Sequence, residues 1–247
     1  MKKVYFIICS ISFLLGCGKS NNSETHTKDS LKLLPLNKQS SQVVLEKPSF
    51  DNQTFSLGIG LIIFPEEFEI FDDSLLTNSY IKWNMYSGKQ PSKPLVPKYF
   101  KPDYGIMHFI CLEKTSKYFK IFVKDNQVKY VPTMKSYQFV SWENYILNSY
   151  GIRKIKGEQS VDNQFIMQNN DLNSVKIALP KGQEMFCPMY VKGDWVKVKY
   201  DCFYNEENNP HEGKPCQSYI EKCQNPVTGW LRWREKNTVL IDIFLMP

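Results

Sequence analysis

Seven cysteines and three histidines carry the most reactive side chains of this 247-residue chain. Four of the cysteines, Cys187, Cys202, Cys216 and Cys223, fall together near the C-terminus, with His211 among them. Three chemistries are open to such a group. As disulfides the cysteines would staple a loop-rich segment; four cysteines allow three complete pairings, and spacing alone selects none. As thiolates, Cys202, Cys216 and Cys223 could join His211 in a Cys3His zinc set. Eight, four and six residues separate these four positions in turn, and no common zinc site uses those intervals. As a nucleophile, a cysteine would need a histidine base held within reach on a rigid element. His26 lies in a polar tract, His211 in a loop rich in Pro and Glu, and His108 in an apolar strand where a structural role is expected. No Gly-x-Ser-x-Gly, His-Glu-x-x-His or Gly-rich phosphate loop occurs, so no motif of hydrolase, zinc-peptidase or nucleotide chemistry is present. Disulfides are the expected state, with no catalytic residue, metal or cofactor. A bridge from Cys202 to Cys216 or Cys223 would close the base of the segment, worth about 3 kcal/mol for a loop of about 15 residues. Cys111, mid-strand among apolar neighbours, reads as a buried free thiol.

Disulfides imply export, and the N-terminus supplies a leader. Met1-Lys2-Lys3 is a positive start, and Val4 to Leu15 is an uncharged, mostly apolar run. That run is too short for a spanning helix, which needs about 20 residues, and suits the apolar core of a secretory signal. It ends in Leu14-Leu15-Gly16-Cys17. This tetrad, directly after an apolar core, resembles the lipobox of bacterial lipoproteins. The resemblance implies cleavage after Gly16, acylation of Cys17 and anchorage in a lipid bilayer. Two or three acyl tails, at about 0.8 kcal/mol per buried CH2, hold a protein stably on a membrane. The implied location is the cell envelope: the periplasmic face of the inner or outer membrane, or the cell surface. Residues 18–30 contain no apolar side chain and cannot bury enough surface to order themselves. The tether is expected to extend to about Asn52, with Leu31–Leu36 and Val43–Leu45 as short stretches able to dock on the folded part.

Composition favours strands for the rest. Aromatic residues make up 14% of the chain, and Ala178 is its sole alanine; a helical protein seldom forgoes its best helix former. Hydrophobic residues at 42% suffice for packed cores. The formal charge is +6, or +4 once Lys2 and Lys3 leave with the signal, and the basic residues are scattered. No basic tract of the kind that binds nucleic acid is present.

The elements expected over 53–150 are mostly short strands. Phe55–Phe64 is an apolar strand containing Gly58 and Gly60, and Glu67–Asp72 alternates in the pattern of a half-buried strand. Leu75–Asp103, with Pro91, Pro94, Pro97 and Pro102 interleaved with Trp83, Tyr86, Tyr99 and Phe100, reads as a long irregular loop. A meander follows: Tyr104–Leu112, Lys117–Lys124 and Val128–Val131, the last two joined by a tight hairpin. Ser141–Leu147 reads as a short helix capped by Ser141, with Trp142, Tyr145 and Ile146 on one buried face.

The boundary between halves is placed near Gly151–Gly157. Ile152–Asn173 is polar and mixed, and Val175–Leu179 opens a strand. Two pieces then stand out: Lys192-Gly193-Asp194-Trp195-Val196-Lys197-Val198 and Gly229-Trp230-Leu231-Arg232-Trp233. In this order they resemble the Gly-Asp-led core strand and the later Gly-Trp strand of bacterial SH3-like domains, over about 175–243. A weaker version of the same order runs through Phe68–Phe71, Ile106–Leu112, Tyr118–Val123 and Lys129–Val131. The expected fold is thus all-β, two tandem SH3-like barrels over 53–150 and 151–247 after a leader (1–16) and tether (17–52). The segment Cys202–Pro226 is where the chain departs from that pattern.

The resemblance implies a non-enzymatic binding or scaffolding module of the envelope, with peptidoglycan peptides or an envelope protein as ligand. Its candidate surface is Trp195, Tyr204, Trp230 and Trp233. Trp230 and Trp233 lie three apart, so a regular strand turns them to opposite faces. The other expectation is an immunity or inhibitor protein, whose acidic loop (Glu206, Glu207, Glu212) would block a basic toxin or wall-hydrolase site.

Overall fold

The computed structural model describes residues 56–155, 165–179, 184–224 and 226–246. Cys17, the leader, the tether and the Leu31–Leu36 and Val43–Leu45 stretches lie outside them.

The fold is all-β: strands occupy 45% of the described residues and helical turns 8%. An eight-stranded antiparallel sheet comes first. Its members are β1 (Gly60–Ile63), β2 (Glu67–Phe71), β3 (Ser79–Asn84), β4 (Tyr99–Lys101), β5 (Ile106–Lys114), β6 (Tyr118–Lys124), β7 (Gln127–Pro132) and β8 (Gln138–Ser141). They lie in the order β3-β2-β7-β6-β5-β1-β8, with β4 also paired to β5. Helix α1 (Trp142–Leu147) follows. The second sheet is built from β9 (Gly151–Lys154), β10 (Phe165–Met167), β11 (Lys176–Ala178), β12 (Phe186–Lys192), β13 (Trp195–Tyr200) and β14 (Thr228–Arg232). A two-stranded ribbon, β15 (Arg234–Glu235) and β16 (Thr238–Val239), leads to β17 (Ile241–Phe244), which completes that sheet beside β9.

Strand β5 explains how the first sheet is used. Its first six residues are all buried, so the strand is covered on both faces, and a continuous apolar run is what such a strand requires. Alternation divides its side chains between two cores. Met107, Phe109 and Cys111 join Ile62, Phe68 and Ile121 in one. Ile106 and Ile110 join Leu61, Trp142 and Ile146 in the other. The second core also takes Ile152, Val196, Val198, Leu231 and Ile241 from the second sheet. The two halves of the chain therefore meet in a common core, and α1 packs against β1, β8 and β12. Each fully buried Ile, Leu or Phe contributes about 1.5–3 kcal/mol of transfer free energy.

Helix α1 is local in origin. The Ser141 hydroxyl accepts a hydrogen bond from the Asn144 amide at 3.3 Å, and Trp142, Tyr145 and Ile146 are its buried residues. At six residues it is too short to persist without that packing. Among the described residues, no helix is long and apolar enough to cross a membrane.

Two expected elements differ. Leu75–Asp103 is not an irregular loop, since it contains β3, β4 and the single turn Pro102–Tyr104. Tyr80, Met85, Leu95 and Tyr99 of this stretch are buried. The prolines do not interrupt these strands because they fall outside them: Pro97 and Pro102 bracket β4, which pairs with β5 alone, and proline is tolerated at strand ends and edges. The strand expected over Phe55–Phe64 is confined to Gly60–Ile63. The chain turns sharply at Gly58, where φ is +56° and an added Cβ would collide with the Cys111 carbonyl.

Cys111 is buried and unpaired, and burial pushes its thiol up to about 12. His108, three residues away on the other face of β5, places Nδ1 2.8 Å from the Tyr145 hydroxyl. Burial holds the His108 pKa down at about 4, against an ordinary 6.5. Between these values the unfolded chain binds a proton that the native protein does not, so stability rises with pH across the interval and is lost as pH falls below 6.5. The expected loss from this residue between pH 7 and pH 5 is about 2 kcal/mol, read as a lower urea midpoint. A His108→Gln variant should have a profile flatter by about that amount; a pH profile parallel to the wild type would count against the assignment.

Candidate functional site

Among the described residues, the segment between β13 and β14 contains no strand; two single 3-10 turns, Cys216–Ser218 and Ile220–Lys222, interrupt it. Covalent and polar ties shape it instead. Cys187 of β12 is bonded to Cys216, with Cα atoms 5.6 Å apart, and Cys202 is bonded to Cys223, 5.9 Å apart. Three of the four candidate ligands of the Cys3His set, Cys202, Cys216 and Cys223, are thus bonded to other cysteines. Around the bridges the segment forms a small core of its own, with Tyr219, Ile220 and Phe203 against the four cysteines. Gln217 fastens it further: its side-chain amide donates to the carbonyls of Leu147, at the end of α1, and of Pro188 in β12. The Lys199 ammonium, nearly enclosed, meets the Glu221 carboxylate at 3.0 Å.

Asp201 is the pivot. It follows directly after β13, is 2% exposed, and both carboxylate oxygens accept hydrogen bonds. Oδ1 accepts from the Phe203 amide at 3.1 Å, and Oδ2 accepts from the Tyr219 hydroxyl at 2.7 Å. Burial, reinforced by the bond to Asp201, raises the Tyr219 pKa well above the usual phenol range. The Tyr219 ring lies flat against the His211 imidazole, centroids 4.7 Å apart and planes within 8°, while Phe203 meets the same imidazole edge-on. Burial, with Lys222 and Lys214 nearby, lowers the His211 pKa against the opposing pull of Asp201 and Glu206. His211 is thus neutral at pH 7.

Beside this stack is a cleft of about 450 Å3, within the size range of sites for small ligands or peptide side chains. Tyr150, Tyr204, Tyr219 and Phe244 give it aromatic walls. Asp201, Glu206, Glu207 and Glu212 give it carboxylates, opposed by Lys214. Over residues 201–224 as a whole, five carboxylates face two lysines, an excess of three negative charges on a chain whose total is +6.

The four candidate binding residues do not come together here. Tyr204, 47% exposed, is the one that lines the cleft. Trp233 is a correction: it is 2% exposed, packs against Trp142 and donates its indole N–H to the Gly193 carbonyl at 2.8 Å, so it is core and not surface. Its opposite in parity, Trp230, is half-buried on the outer face of β14 in contact with Tyr190, and Trp195 is half-buried at the start of β13. Sequence reasoning identified Glu206, Glu207 and Glu212 as an acidic loop but missed Tyr150, Asp201, Tyr219 and Phe244. Tyr150 is the last residue of the first half and Phe244 lies in the final strand of the second, and no local pattern links them to the loop. Asp201 carried a usable signal, as a carboxylate at the end of an alternating strand and next to a cysteine. The chain matches no family model, no curated protein and no solved structure, so the functional reading rests on the chemistry of this cleft.

Proposed function

We propose that this chain is a cell-envelope lipoprotein, held on the bilayer by an acylated Cys17, that acts as a non-enzymatic binding module for a peptide or protein ligand. In this reading the strands around Trp195–Tyr200 and Thr228–Arg232 are the frame of an SH3-like barrel, and the stapled segment is its own specificity device. The leader pattern supports export, and two disulfides suit an oxidising compartment. The observation that carries the reading is the cleft itself. The loop carboxylates line a concavity with aromatic walls, an arrangement that receives a ligand group. An inhibitor that inserts its acidic loop into another protein's active site would instead present those groups on a convex tip.

Sedimentation of the full chain, in detergent, with purified cell-wall sacculi is the test. Cosedimentation is expected, weakened by Tyr204→Ala in the cleft and unchanged by Trp230→Ala on the outer face. Failure to sediment, together with co-purification of one stoichiometric envelope protein whose activity is blocked, would replace this reading with the inhibitor one.

A further inference from the structure

We infer that the cleft selects a cationic nitrogen, a primary ammonium or guanidinium carried on a peptide, and seats it among Glu206, Glu207 and Glu212 against the aromatic wall. The inference rests on the binding-module reading and adds the chemistry of the ligand.

The cleft carries four carboxylates and one lysine, so its sign opposes that of the chain. An anionic ligand would meet repulsion there. A neutral ligand would cover carboxylates without pairing them, which is costly once water is excluded. A cation offsets the excess and can also lie over the Tyr204 ring, where the negative face of the aromatic attracts it. Asp201 is not the direct partner, because both its oxygens are already bonded to Phe203 and Tyr219. It fixes the Tyr219 ring and adds its charge from below. Glu206, Glu207 and Glu212 are exposed and free to close on a ligand.

His211 is a second and separate indication. The residue lines the cleft and is 8% exposed. Its ring packs face-on against Tyr219 and edge-on against Phe203, and those two rings also touch each other. Yet no hydrogen bond from the described residues reaches either ring nitrogen; the residue is tied through its backbone alone, its amide donating to Asn209 Oδ1 and its carbonyl accepting from the Lys214 amide. A neutral imidazole has one donating and one accepting nitrogen; the carboxylates of the cleft can serve the donor, and the acceptor favours a donor from the ligand. Ammonium and guanidinium groups are donors only, so both the acidic side chains and the imidazole call for the same kind of group.

Immobilised acetyl-Ala-Lys-Ala-amide is the probe, beside its Nε-acetyl-lysine counterpart and the Glu analogue, with the full chain in neutral detergent. The lysine peptide is expected to bind, and the acetylated and Glu peptides to bind at least about tenfold more weakly, the loss of one charge-assisted bond. Replacing Glu206, Glu207 and Glu212 together by Gln should cost at least about tenfold while leaving the thermal midpoint unchanged, since these side chains are exposed. His211→Phe preserves the stacking and should weaken the lysine peptide several-fold. Equal binding of the lysine and acetylated peptides, or no effect of the triple Gln change, overturns the inference. Sacculus binding that persists in that case keeps the binding-module reading alive, whereas loss of both sacculus and peptide binding removes the two together.

Discussion

Removing the two disulfides pairwise, by Cys187→Ala with Cys216→Ala and by Cys202→Ala with Cys223→Ala, is expected to lower the thermal midpoint by about 10 °C in each case. The bridges close loops of 29 and 21 residues, for which the chain-entropy model assigns about 3–4 kcal/mol apiece. One kcal/mol moves the midpoint by about 2–4 °C in a chain of this size. The two losses should not add, because the loops overlap in sequence and their sulfurs share one small core with Tyr219 and Ile220. The pairs should also differ in kind. Without Cys202–Cys223 the base of the acidic segment opens, so proteolysis should concentrate between Phe203 and Lys222 while the sheets persist. Without Cys187–Cys216 the segment loses its tie to β12. Circular dichroism melts in non-reducing buffer decide the matter, and a midpoint displaced by less than about 3 °C in both variants would contradict the stapling account.

Trp233→Ala should cost about 3–5 kcal/mol, the range for deleting a large aromatic from a packed core. The side chain fills the common core against Trp142, ring centroids 5.7 Å apart, and Trp142 in turn donates its N–H to the Leu57 carbonyl at 2.6 Å. Trp142→Ala should therefore cost a similar amount, and the double variant less than the sum of the two, because residues in contact are coupled. Trp233→Phe separates packing from hydrogen bonding. It keeps a ring in place and leaves the Gly193 carbonyl without its donor, for an expected loss of about 1–3 kcal/mol. Urea unfolding measures all four. By contrast Trp195→Ala and Trp230→Ala, at half-buried positions, should fall well below the Trp233 value; equal losses at all three tryptophans would mean that the outer face of the second sheet is covered after all.

The contrast among these tryptophans shows how far the sequence can be read. Strands β5 to β7 were legible because apolar runs, short turns and β-branched or aromatic residues all agreed. The short helix was legible from Ser141 and the spacing of Trp142, Tyr145 and Ile146. Strand β4 was hidden: three residues between two prolines, formed by pairing with β5 and not by any preference of its own. Parity placed Trp230 and Trp233 on opposite faces, but parity cannot say which face is inside. That depends on what covers the sheet, and the cover is α1 and the first sheet, from a part of the chain some 90 residues earlier.

What the sequence by itself determined is the material of local interactions: strand period, turn chemistry, the helix cap and the presence of four cysteines and an acidic loop. The tertiary structure alone decided which cysteines pair, because pairing follows distance in space and three pairings were chemically equal. It alone decided that Trp233 is core, and that Tyr150, Asp201, Tyr219 and Phe244 join the acidic loop around one cleft. Backbone and neighbouring side chains dictate the first kind of fact within a few residues. The second kind exists only once distant segments are packed, when burial, charge and shape are set by neighbours that the linear chain does not bring together.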